Sequence, residues 1–306
     1  MWFKNLVIYR LPADWAVSAA ELEEKLTTRT LQPCSPFEML SRGWVAPSST
    51  GRLVHTVNQQ HLIALGVNQK LLPASIIRQV TLERAEALAQ ENGFPVGRRQ
   101  MRDLKMRVTE ELRAKALTRR RITRAWIDPV NGWLVVDAAG AAKAEELIET
   151  LRDTLGSLAV LFIETERSPQ MSMAVWLKLG EAPLRLTIDQ DLELKAANQS
   201  KATIRYSHHP LEGKEIQAHM AAGLYPTRLG LTWNDRIAFV LNEKMQIKRL
   251  EFLEMSKDAT EGAADLNEAE QFDIDFTVMA GELAKLIDDV VAALGTEQQE
   301  QRAAAA

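Results

Sequence analysis

Apolar and polar positions along the chain switch repeatedly between the period of a strand and that of a helix. Residues 2–10 (WFKNLVIYR) carry aromatic and β-branched side chains and read as a strand. Ser18 precedes Glu21 at the spacing of a capping box and predicts a helix to about Thr28. The prolines at 33 and 36 break the chain, and residues 44–45, 53–57 and 61–67 read as short strands. Pro73 suits the first turn of a helix whose apolar members are Ile76, Ile77, Val80 and Leu88, ending near Asn92-Gly93. A second helix runs from residue 98 to about Leu117, and the chain is then extended through Ile122, Trp126 and Ile127. Asn131-Gly132 is a hairpin signal leading into a strand at 133–136.

Residues 141–155 form a helix with Leu147, Ile148, Leu151 and Leu155 inward, closed by Gly156, and 159–163 is a strand. Further elements are helices near 171–179 and 211–222 and strands near 184–188 and 202–206. Residues 224–233, 236–241 and 246–253 read as an antiparallel meander with a turn at Asn234-Asp235. Residues 257–270 are acidic and small, the composition of a mobile loop. The last helix has Phe276, Met279, Leu283, Leu286, Ile287, Val290 and Leu294 as a single inward stripe. The tail from Glu297 is polar, then poly-alanine, and reads as frayed. Adjacent strands joined by tight turns and mixed with helices predict an α+β fold with largely antiparallel sheets. There is no repeat of fixed period.

The 306 residues carry a net charge of −4, which by itself argues against a nucleic-acid binder. The average hides an asymmetry. Residues 98–124 hold eleven basic side chains against three acidic ones, a net of +8. Residues 251–300 hold fourteen acidic side chains against two lysines, a net of −12. A polyanion is drawn to the first region and repelled by the second. No apolar run approaches the roughly 18 residues that span a bilayer, and the N-terminus lacks a secretory pattern. Cys34 is the only cysteine, so no intrachain disulfide and no cysteine-based metal cage forms. These features predict a soluble cytoplasmic protein without a cofactor.

Catalytic motifs are missing: there is no GxxxxGK[ST], GxGxxG or GxSxG. His208 and His209 are adjacent, and on a strand they diverge too far for a chelate. Asp128 and Asp137 flank the hairpin, with Glu145 and Glu146 following; they cap turns, or else hold Mg²⁺ as in a metal-dependent nuclease. The basic segment has more content. Projected on a helix, Met101, Leu104, Val108 and Leu112 fall on one inward stripe, with Arg98, Arg99, Arg102, Lys105 and Arg113 on the far side. Met106 and Leu117 fall on the basic face, placed to press on a partner subunit or wedge into a groove. Lys115 and the run Arg119, Arg120, Arg121, then Arg124, extend the positive charge. Arginine forks match phosphate oxygens and position a protein without reading sequence. A protein-interaction module docking through its acidic C-terminal region is a further alternative.

A series of landmarks runs along the chain: the opening WFKNLVIYRL, Pro33-Cys34, Gly43-Trp44-Val45 with Pro47, and Lys70-Leu71-Leu72-Pro73. The most specific stretch runs from Trp126 to Leu158, WIDPVNGWLVVDAAGAAKAEELIETLRDTLGSL. Leu231-Thr232-Trp233, Arg236-Ile237, Lys248-Arg249-Leu250, Phe272-Asp273, Asp275-Phe276 and Gly281-Glu282-Leu283 follow in order. In these landmarks the chain resembles the bacterial RdgC family of recombination-associated proteins, and the resemblance covers almost its whole length. It implies a horseshoe-shaped subunit of a ring homodimer that encircles double-stranded DNA without sequence preference, associates with the nucleoid, and restrains the RecA recombinase without catalysis. It also implies a centre region (1–72 and 126–165), a tip region (73–125) and a base region (166–306). The basic helix and a turn at Arg119 to Arg121 then belong to the tip. Leu117 stands where related sequences can carry a phenylalanine finger. Ser207 and His208 stand where they can carry lysines, which makes His208 and His209 candidate base-side contacts.

Overall fold

The computed structural model describes residues 2–196, 202–253 and 267–295. The expected tail from Glu297, and residues 257–266 of the expected acidic loop, lie outside the described residues. The chain forms two compact units, residues 1–25, 46–63 and 123–306 (unit 1) and residues 26–45 and 64–122 (unit 2). Seven helices and a large antiparallel sheet make the described residues an α+β protein, as the patterning predicts.

Unit 1 is built on the strands β1 (Leu6–Arg10), β6 (Trp133–Asp137), β8 (Leu186–Ala196), β9 (Thr203–Tyr206), β10 (Leu224–Trp233), β11 (Ile237–Asn242) and β12 (Ile247–Phe252). They lie in the order β6-β1-β12-β11-β10-β8-β9, with the end of β5 (Thr118–Asp128) beside β6. The predicted meander is β10, β11 and β12, paired antiparallel as Leu229↔Leu241 and Leu241↔Ile247. β1 is central: Ile8 faces Val135 of β6, and Leu6 faces both Asp137 and Ile247. The short β7 (Leu161–Phe162) joins β1 at Tyr9 and Arg10.

The last helix, α7 (Glu268–Ala293), packs on this sheet. Phe276, Met279, Leu283, Leu286, Ile287, Val290 and Leu294 are all buried with Trp233 and Phe239, so the stripe read from the sequence is the core. Each such side chain removed from water contributes about 1.5–3 kcal/mol. The helix starts earlier than the composition suggested. Asn267 accepts from the Glu270 amide and Glu270 accepts from the Asn267 amide, a capping box that turns residues 268–270 into helix. The other unit 1 helices are α1 (Ala19–Thr27, whose last two residues belong to unit 2), α4 (Ala141–Leu155), α5 (Pro169–Leu179) and α6 (Lys214–Ala221). Ser18 caps α1 through the Glu21 amide at 3.2 Å, as its spacing predicts.

One buried charge in the sheet has a measurable consequence. Glu193 on β8 is 3% exposed. Burial alone would raise its carboxyl, but hydrogen bonds from Arg205, Thr227 and Lys195, with the charge of Arg228, outweigh it and hold the pKa at about 2. A carboxylate depressed in the folded state stabilises fully above its unfolded pKa, and that stability is lost as pH falls from about 4.5 toward 2. The stabilisation is about 3 kcal/mol at neutral pH. Urea midpoints at about pH 7 and about pH 2.5 should therefore diverge less in Glu193→Gln than in the parent; equal divergence would refute the assignment.

Unit 2 contains β2 (Leu40–Val45) paired antiparallel with β4 (Gln60–Lys70), from Leu40↔Gln69 to Val45↔Ala64. The first residues of β4 pair with β3 (Val54–Val57) within unit 1. Gly43 is required by proximity: a Cβ there would stand 2.5 Å from the Leu31 backbone nitrogen. Cys34 is half-buried, its thiol 3.2 Å from the Asn68 carbonyl oxygen. The unit's other part is a helical hairpin of α2 (Ala74–Asn92) and α3 (Arg98–Lys115). Gly93 ends α2 in the left-handed conformation, φ 76°.

Several local expectations need correction. Of the apolar members named for α2, Ile76 is 44% exposed, and the buried residues of the helix are Thr81 and Ala85. The hairpin at Asn131-Gly132 exists, but Asp128 pairs with Trp133, so its loop has four residues rather than two. Asp128 sets that loop by accepting from the Val130 and Asn131 amides and the Asn131 side chain. The strand expected at 184–188 extends to Ala196, because β10 pairs along its whole length.

Candidate nucleic-acid interface

The basic segment divides by the physics of its elements. α3 keeps the predicted inward stripe: Leu104 and Val108 are buried, and Met101 and Leu112 pack beside them against Ala85, Ile77, Val80 and Leu88 of α2. That packing fixes the rotation of the helix, and the rotation turns the charges outward. Arg98, Arg99, Arg102 and Lys105 are exposed. Arg102, Lys105, Met106 and Arg113 line one shallow groove with Thr109 and Glu110. Met106 is 57% exposed there, on the basic face where the projection placed it.

Two members of the helix are partly engaged. Arg113 is half-buried, and its Nε is buried with no hydrogen-bond partner among the described residues. Lys115 is exposed but ion-pairs with Glu111 at 3.0 Å, and Glu111 also takes Arg84 at 2.7 Å. Hydrogen bonds from Arg84 and Lys115 hold the Glu111 carboxyl below its ordinary range.

Leu117 and the arginine run are placed differently from the expectation. α3 stops at Lys115, Ala116 is extended, and the Leu117 carbonyl accepts from the Leu71 amide at 2.8 Å. Leu117 is therefore not on the helical basic face, although it is 79% exposed. Arg119, Arg120 and Arg121 are not a turn: they lie on β5. Alternation along a strand sends Arg119 and Arg121 to one face and Arg120 to the other. Arg120 donates through Nε to Asn68 Oδ1 at 3.0 Å on β4. Arg124 belongs to unit 1, is half-buried, and lies near enough to Asp137 to act on its charge. The basic segment thus divides by element and unit: α3 gathers the exposed group of unit 2, β5 sends Arg119 to Arg121 to two faces, and Arg124, farther along β5, belongs to unit 1.

The remaining candidates lie in unit 1. His208 lies in the bend that follows β9 and His209 just beyond it, neither on a strand. Both are exposed; the His208 amide donates to Asp191 Oδ1, and the His209 ring stands 5.4 Å from Tyr206. The carboxylates weighed as metal ligands have backbone work. Asp128 is fully buried and closes its loop, while Asp137 accepts from the Lys4 and Asn5 amides. Burial raises the Asp137 carboxyl in spite of those amides and of Arg124 and Lys4. Among the described residues no group of three or more His, Cys, Asp or Glu is placed to hold a metal ion. No helix among them is long and apolar enough to cross a membrane.

Fold and surface together define an α+β protein with a large antiparallel sheet and a helical hairpin whose outer face is basic. A family model described as "Putative exonuclease, RdgC" matches residues 1–297. A recombination-associated protein RdgC of Dechloromonas aromatica (strain RCB) is 48% identical over 305 residues, covering 99% of this chain and all of the relative. That of Herminiimonas arsenicoxydans is 47% identical over 298 residues, 97% of this chain and 99% of the relative. That of Janthinobacterium sp. (strain Marseille) is 46% identical over 301 residues, 98% of this chain and all of the relative. The chain belongs to the RdgC family.

Proposed function

We propose that the chain binds double-stranded DNA without sequence preference, encircles it as a ring homodimer, and limits access of the RecA recombinase. It does so without catalysis, at the nucleoid in the cytoplasm. The observation that carries the DNA reading is the outer face of α3, where Arg98, Arg99, Arg102 and Lys105 are exposed on a helix held from behind by Leu104 and Val108. Guanidinium groups on a fixed helix meet phosphates at little ordering cost and read no bases. The relatives' name, recombination-associated protein, fits that reading. Division into centre, tip and base regions, with α3 at the tip, belongs to the same proposal.

The family description favours a second reading, an exonuclease. Against it, Oδ1 of Asp128 and Oδ1 of Asp137 each accept two backbone amides, and Asp128 Oδ2 accepts from the Asn131 side chain. One experiment separates the two. The protein is loaded on a nicked circular duplex and challenged with salt, and the circle is then cut once. A ring stays on the circle through the challenge and slides off after the cut; equal release before and after the cut overturns encirclement. Parallel incubations of linear and circular DNA with Mg²⁺ or Mn²⁺ should leave both intact, and shortening of the linear DNA would establish the exonuclease.

A further inference from the structure

The unit 1 sheet holds a second concentration of positive charge. A pocket of about 310 Å³ is lined by Arg205, Arg228, Lys248 and Arg249, with Asp191 and Glu193 among them. Four cations face two carboxylates.

These side chains meet because the sheet departs from regular pairing three times around the pocket. On β12, Lys248 pairs with Val240 and Glu251 with Ala238, so Arg249 and Leu250 share the space opposite Phe239. Arg249 adopts φ 51°, a left-handed conformation that a side chain disfavours. Consecutive residues of a regular strand point to opposite faces; the bulge brings both Lys248 and Arg249 to one pocket. On β10, Arg228 pairs with Glu193 while Pro226 pairs with Leu194, leaving Thr227 as an extra residue. Farther along, Leu229 pairs with Leu192 and Leu231 with Ile188, so residues 189–191 oppose Gly230 alone. A Cβ on Gly230 would come within 3.1 Å of the Asp191 Cβ.

The carboxylates orient these cations without cancelling them. Glu193 takes Arg205 Nε at 2.7 Å, Lys195 at 3.2 Å and Arg228 at 3.8 Å, one anion for three cations. Asp191 takes Arg249 at 3.3 Å. Lys248 donates to the neutral Ala139 carbonyl at 3.0 Å. Burial and the nearby charge of Arg228 push the Lys248 ammonium below its ordinary pKa. Bulges, a left-handed arginine and crowded like charges all cost stability. A bound anion offsets that cost, and guanidinium forks with a lysine point charge match phosphate oxygens.

We infer that this pocket is a phosphate-binding site of unit 1, formed by Arg205, Arg228, Lys248 and Arg249. It goes beyond the DNA reading of α3, which concerns unit 2. Two sources carry the chemistry, a nucleic-acid backbone and a free phosphate compound.

The test titrates sodium pyrophosphate into the full chain by calorimetry, and measures duplex affinity separately. The variants are Arg249→Gly, which removes the charge and suits the left-handed backbone, and Lys248→Gln. Each should weaken pyrophosphate binding about tenfold, while Lys178→Gln, exposed on α5, should not. Pyrophosphate binding that depends on Arg249, with duplex affinity unchanged, assigns the site to a free phosphate compound. Duplex affinity lowered by Arg249→Gly assigns it to the backbone, whether or not pyrophosphate binds. If pyrophosphate binding is absent or unaffected by both variants, and duplex affinity is unaffected too, the site is refuted. The calorimetric arm contains no DNA, so it stands or falls apart from the α3 reading.

Discussion

Replacing Arg98, Arg99, Arg102 and Lys105 together by Gln should lower duplex affinity by more than about a hundredfold at moderate salt. The log–log salt slope should fall by about one for each phosphate contact removed. α3 keeps its core on another face of the helix. All four side chains are exposed, and none belongs to the stripe of Leu104 and Val108. Glutamine sustains a helix about as well as arginine or lysine, so the circular dichroism and melting temperature should hold. Anisotropy with two unrelated duplexes across a salt series provides the measurement. Equal losses on both duplexes support backbone contact, a loss on only one means base readout, and an unchanged slope removes α3 from the interface. The same series grades the strand arginines. Arg119→Gln should cost more than Arg120→Gln, because Arg120 already donates to Asn68.

The other large effect is on stability. Val108 is fully buried, in a cluster whose other buried members among the described residues are Ala85 and Leu104. An aspartate there has no partner and little neighbouring apolar surface to redistribute, so Val108→Asp should cost more than about 4 kcal/mol. The α2–α3 hairpin opens before the sheet of unit 1. Limited proteolysis should cut first within 74–115, and duplex binding should fall with it although no basic residue has changed. Retained protease resistance in that segment would show that the stripe does not hold the hairpin.

The contrast between these predictions marks what the sequence makes legible. The stripes of α3 and α7 obey a local period, and both are buried where the pattern puts them. Asp128 was legible as a turn-former because its partners lie two and three residues away. Leu117 was not. The helical projection ran past Lys115, and what draws Leu117 out is a hydrogen bond to Leu71, 46 positions earlier. Arg119 to Arg121 were expected as a turn of the tip region; their strand takes its form from pairing, which no short window contains. The pocket at Lys248 and Arg249 was invisible for the same reason. Its bulges depend on registers between β8 and β10, and between β11 and β12, and the adjacent Lys248 and Arg249 give no hint that they share a face.

The central position of β1 also orders events in time. One side of it is completed late: β6 pairs with it from residue 133, but Leu6 also faces Ile247, and the Phe3 amide donates to the Met279 sulfur. A chain emerging from the ribosome carries its first strand for most of synthesis before these partners exist, whereas unit 2 is complete once residue 122 is out. Loops this long close slowly, and strand edges left unpaired meanwhile invite association. The interval between the first strand and the last helix is thus when the nascent protein is most exposed to misassembly.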